Sequence, residues 1–130
     1  MPPARDAASP DGWRWPVQGE VIRAFGASGA GRRGIDIAGE LGDAVRAARG
    51  GEVVYSGSGL VGYGELIIIK HDDRYLSAYG FNQRRLVEEG ERVSSGQVIA
   101  RMGSGPENRA MLHFEVRDRG QPINPARVLP

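Results

Sequence analysis

The chain has no cysteine, which excludes disulfides, a thiolate nucleophile, Cys-ligated zinc and iron–sulfur clusters, and leaves the redox compartment open. It has two histidines, His71 and His113, and a single lysine, Lys70. No apolar run approaches the roughly 18 residues of a membrane helix, and Met1 to Pro10 has neither the basic start nor the apolar centre of a signal peptide. Excess charge is lacking too: 17 basic against 16 acidic side chains leave a net +1. Nucleic acid is therefore excluded as a partner on global charge, and a membrane is expected only through an anchor outside the chain. At 130 residues there is room for one hydrophobic core and not two.

Glycine is abundant, at 20 residues, and it punctuates short β-rich runs: Val21 to Phe25, Ile35 to Ala38, Glu52 to Ser56, Glu65 to His71, Tyr75 to Tyr79, Val98 to Met102 and Leu112 to Arg117. No segment sustains a helical period, so the expected class is an all-β, glycine-rich antiparallel sheet. The run Leu66 to Ile69 is apolar on both faces and reads as a central strand. Between it and Tyr75 to Tyr79, His71-Asp72-Asp73-Arg74 fits a tight hairpin. An internal echo links Gly42-Asp43-Ala44-Val45 to Gly90-Glu91-Arg92-Val93. The stretch Gly90 to Ala100 resembles the hammerhead turn of biotinyl and lipoyl carriers. Residues 1–14, rich in proline and alanine, read as a linker and residues 15–130 as the domain.

Three ordered motifs, Gly34-Ile35-Asp36-Ile37-Ala38, Tyr75-Leu76-Ser77-Ala78-Tyr79 and Leu112-His113-Phe114-Glu115-Val116, resemble the LytM or lysostaphin-like zinc endopeptidase domain. The likeness runs from Trp15 to Pro130 and implies the duplicated hybrid-motif sheet of that family. Active members bind zinc through a His four residues before an Asp and through the second His of a His-x-His strand. The resemblance puts Asp36 and His113 at two of these positions, while the first ligand position holds Arg32, whose guanidinium has no lone pair to give a metal. The family's two catalytic histidines fall at Phe81 and Met111. With three of five chemical positions changed and no spare histidine, the resemblance implies no zinc cofactor and no hydrolysis. His71, beside Asp72 and Asp73, is expected to serve in structural hydrogen bonding. His113 is expected to bond to Asp36.

What the resemblance then implies is an inactive LytM factor of the periplasm, tethered to the outer membrane through a lipoprotein region outside this chain. It would act as a monomer that engages the regulatory helix of a zinc N-acetylmuramyl-L-alanine amidase and so promotes septal peptidoglycan splitting. Its groove would include Asp36, with Arg32, Phe81, Met111 and His113 at the floor and Phe25, Arg33, Tyr63 and Asn82 near the rim. The alternatives are a working zinc endopeptidase, favoured by Asp36 and His113, or a peptidoglycan-binding module without activating role. A biotinyl or lipoyl carrier is disfavoured because Lys70 ends an apolar strand.

Overall fold

The computed structural model describes residues 8–9, 11–26 and 33–130. Ten strands make up the sheet: β1 (Val21–Arg23), β2 (Ile35–Ala38), β3 (Ala44–Arg46), β4 (Gly51–Gly57), β5 (Glu65–Lys70), β6 (Tyr75–Arg85), β7 (Arg92–Val93), β8 (Val98–Ser104), β9 (Ala110–Asp118) and β10 (Gln121–Ile123). Every pairing is antiparallel, as expected for a glycine-punctuated chain. The strand order is β1-β2-β9-β8-β6-β5-β4-β7, with β10 added to β9, β3 added to β8, and a further β6–β9 pairing. Apart from short 3-10 turns, the described residues contain no helix.

β2 begins and ends where the sequence pattern puts it, and β5 is central, with Leu66, Ile67 and Ile69 buried. β6 runs well past the expected end at Tyr79, to Arg85. It does so because its second half pairs with β8 while its first half pairs with β9. Short β3, β7 and β10 have too few residues to show a period, and the sequence pattern leaves them out. Trp13 is completely buried, edge-on to His71 and Tyr75.

The internal echo has a structural basis. A side-chain oxygen closes each turn on a backbone donor: the N–H of Glu40 donates to Asp43 Oδ2, the N–H of Glu88 to Glu91 Oε1, and the N–H of Ser94 to Gln97 Oε1. In each turn the residue between them and the acceptor is a glycine at positive φ, Gly42, Gly90 or Gly96, the backbone that a type II turn demands at its third position. The sequence shows two copies; the third is hidden because Gln97 replaces the acid.

Expected as structural, His71 donates from Nδ1 to Gly50 O at 2.8 Å and accepts at Nε2 from Ser77 Oγ at 2.7 Å. The chain continues through Tyr79 Oη, which accepts from the N–H of Ala48. A buried network so fully satisfied ties β6 to the loop before β4.

β6 bends at Phe81, a non-glycine residue with φ of 63°, where β8 crosses close by. A Cβ on Gly103 would stand 2.5 Å from Phe81 O and 2.6 Å from Gln83 N, both backbone atoms that cannot yield without parting the strands. Gly103→Ala is expected to lower unfolding free energy by about 2 kcal/mol or more, measured by urea denaturation. Parent-like stability would contradict this packing.

Candidate functional site

β2 and β9 pair so that Asp36 lies directly opposite His113, and directly opposed residues of antiparallel strands share a face. Glu115, two residues farther along β9, falls on that face as well. All three side chains are buried. His113 Nδ1 lies 2.7 Å from Asp36 Oδ1 and Nε2 lies 2.8 Å from Glu115 Oε2. With a carboxylate at each ring nitrogen, the imidazole can satisfy both contacts only by donating from both, which makes it an imidazolium.

Charges alternate onward from this centre. Arg117 donates to Glu115 Oε1 from Nε and from its terminal nitrogen, and Arg23 Nε sits 3.6 Å from Asp36 Oδ2. Tyr63 bonds to Glu115 as well, and Arg33 reaches Tyr63. Burial opposes charge on His113, but the bonds to Asp36 and Glu115 outweigh it and raise its pKa to about 9. Burial alone would push Glu115 up, yet bonds from His113, Arg117 and Tyr63 hold its carboxyl below the usual carboxylate range.

Two aromatic rings cover the imidazole, with centroids at 5.8 Å for Tyr63 and 6.0 Å for Phe81. Gly80, paired with His113 from β6, has no side chain to keep Tyr63 away. The N–H of Phe81 donates to Tyr63 O at 2.7 Å, joining the bend in β6 to the β4–β5 hairpin tip. Above the rings opens a cavity of about 300 Å³ lined by Arg23, Arg33, Asp36, Val61, Tyr63, Phe81, Pro106, His113 and Glu115.

The structure thus gathers Arg33, Asp36, Tyr63, Phe81 and His113 around one opening. Met111 is buried and lines a smaller neighbouring cavity of about 90 Å³ with Arg23, Asp36 and Pro106. Phe25 packs against the core and lines neither cavity. Asn82 corrects the rim expectation: it is buried, and its amide donates to Glu65 O and Tyr79 O, so it holds the β5–β6 bend. Arg32 lies outside the described residues. Sequence reasoning missed Arg23 and Glu115; the spacing of Glu115 two after His113 in a strand was signal enough to find it, whereas nothing in the pattern points to Arg23.

The two histidines are shifted in opposite directions, which fixes the pH dependence of stability. Burial drives His71 down to about 4, so its contribution is present above the unfolded value near 6.5 and is lost as pH falls toward 4. His113 contributes fully below 6.5 and loses that contribution as pH rises through about 9. Stability should therefore peak near neutrality, with flanks no steeper than about 1.4 kcal/mol per pH unit for each histidine. Urea denaturation between pH 5 and pH 9 checks this on the order-of-magnitude scale of those slopes. His113→Gln should flatten only the alkaline flank; an unchanged profile would contradict the assignment.

Residues 30–125 match the model of peptidase family M23. Over 119 residues the chain is 56% identical to the lipoprotein NlpD/LppB homolog of Pseudomonas aeruginosa, covering 92% of this chain and 40% of that protein. It is 55% identical over 118 residues to the murein hydrolase activator NlpD of Escherichia coli, covering 91% of this chain and 31% of that one. The chain thus spans well under half the length of these relatives. Among solved structures, the catalytic domain of the M23 protein EnpA from Enterococcus faecalis aligns with TM-score 0.73 and 30% identity, over 85% of this chain and 94% of that one. Lysostaphin from Staphylococcus simulans shares the fold, with TM-score 0.78 at 24% identity over 85% of this chain and 49% of that one. The sheet, its paired Asp36 and His113 and the family match lead to one conclusion: the chain belongs to peptidase family M23.

Proposed function

We propose that this chain is a catalytically inactive M23 domain that activates a murein hydrolase of the bacterial envelope, specifically a periplasmic zinc N-acetylmuramyl-L-alanine amidase. The relatives named activators and lipoproteins support the activator role and the envelope setting. The observation that carries the inactive reading is the double engagement of His113: a lone pair offered to a metal is incompatible with donation from both ring nitrogens to Asp36 and Glu115.

The residues present do not fit a catalytic zinc ion. Such an ion needs three protein ligands and an open position. Here Asp36 and His113 are bonded to each other, the Arg23 guanidinium adds positive charge at Asp36, and Arg32 stands in the sequence where the family has its first histidine. Among the described residues no three His, Asp or Glu side chains are grouped to hold a metal. On this reading the family's two proton-transfer positions hold Phe81 and Met111, and neither side chain can carry a proton.

What remains is a contact groove. Phe81, Tyr63 and Val61 offer apolar surface beside the Arg23 and Arg33 guanidiniums. A regulatory helix of the amidase, once displaced from the amidase's own active site, would dock there and bias the enzyme toward its open state. The monomer is the working unit on this reading.

Phe81→Gly tests the groove with little risk to the fold, because glycine suits the positive φ that Phe81 adopts. Dye release from labelled sacculi should occur only when domain and amidase are combined. Phe81→Gly should weaken activation at least roughly tenfold, the size of a hot-spot loss, at an unchanged or higher melting temperature. Full activation by that variant would move the activating surface elsewhere. Elemental analysis of the purified domain should find no stoichiometric zinc, and Arg32→His alone should not restore hydrolysis.

A further inference from the structure

Strands β3, β8 and β6 lie side by side away from the cleft, and Arg101 of β8 has Ala44 as its register partner on one side and Arg84 on the other. Directly paired residues of an antiparallel sheet project from one face with Cβ atoms about 5 Å apart. Arg84 and Arg101 are both exposed, and neither pairs with a carboxylate among the described residues. Like charges placed directly opposite each other destabilise a sheet.

Other arginines of the sheet and its hairpins meet carboxylates instead. Arg49 meets Asp72, Arg74 takes Asp118 in a two-pronged contact, and Arg85, the very next residue to Arg84, pairs with Glu65. The neighbour on the other side of Arg101 is the small Ala44, which leaves the guanidinium open to approach. Two arginine side chains rooted side by side on an open sheet face can bring both guanidinium forks to the planar oxyanion of a carboxylate, which each fork can grip with two hydrogen bonds.

We infer that the Arg84–Arg101 face is an anion-binding surface, separate from the cleft, that holds the free carboxylates of murein stem peptides. The choice of murein over another carboxylate polymer rests on the proposed function, which places the chain beside it; the carboxylate specificity rests on the arginine pair itself. Binding there would hold the domain on the polymer that its partner enzyme cuts and leave the Phe81 groove free for that partner.

Co-sedimentation of the domain with purified sacculi, without any amidase, tests this. The arms are untreated sacculi, sacculi whose carboxyls have been converted to amides with carbodiimide and ammonia, and phosphatidylglycerol vesicles. The parent domain should sediment with untreated sacculi, less so as salt rises, and should ignore the amidated ones. Arg84→Glu and Arg101→Glu should each weaken sedimentation at least roughly tenfold, as loss of a charge-assisted bond implies. Each should melt no lower than the parent, because a Glu–Arg pair replaces an Arg–Arg one. Unchanged sedimentation of the variants, equal binding to amidated sacculi, binding to vesicles alone, or a fall in melting temperature would each overturn the inference. Sacculus binding through these arginines by a domain that activates no amidase would keep it and sink the activator reading alone.

Discussion

The buried imidazole of His113, held between Asp36 and Glu115, is the interaction on which the cleft depends. Three ionisable groups on one sheet face are tolerable only while their charges balance, because removing one partner of a buried ion pair typically costs about 3 to 5 kcal/mol. The balance extends to Arg117 beyond Glu115 and to Arg23 beyond Asp36. Positive and negative groups thus alternate along five residues from β1, β2 and β9. Asp36 and His113 are the side chains that would hold a metal, and on the proposed reading they are engaged with each other instead.

That arrangement links packing to function. Tyr63 and Phe81 cover the imidazole from the β4–β5 tip and the β6 bend, shielding the charges and presenting apolar surface outward. An aromatic residue at φ of 63° costs on the order of 1 to 3 kcal/mol of backbone strain. The bond from the Phe81 N–H to Tyr63 O and the close passage of Gly103 hold it there. Strain kept at the mouth of a cleft is consistent with a ring whose position serves contact with a partner.

Much of the fold was legible in the sequence, and the reason is local. β2, β5 and the His71–Arg74 hairpin follow from apolar runs bounded by turn residues, and the repeat at Gly42 and Gly90 follows from the acid that accepts the turn's backbone bond. The late end of β6 was not legible, since Phe81 to Arg85 are strand only because β8 lies beside them. Asp36 and His113 were found from their motif, and their direct pairing needs no more than the register of β2 on β9. Arg23 and the buried position of Asn82 depend on contacts between distant segments, which no spacing announces.

The central claim concerns where the protons of one imidazole lie, and nitrogen-15 NMR of the His113 ring reads it directly. At neutral pH both ring nitrogens should resonate as protonated, N–H-bearing atoms, and the spectrum should not change when stoichiometric zinc is added. An Nδ1 that resonates as unprotonated, or that shifts on zinc addition, would contradict the account and return the cleft to the metal-binding side of its family.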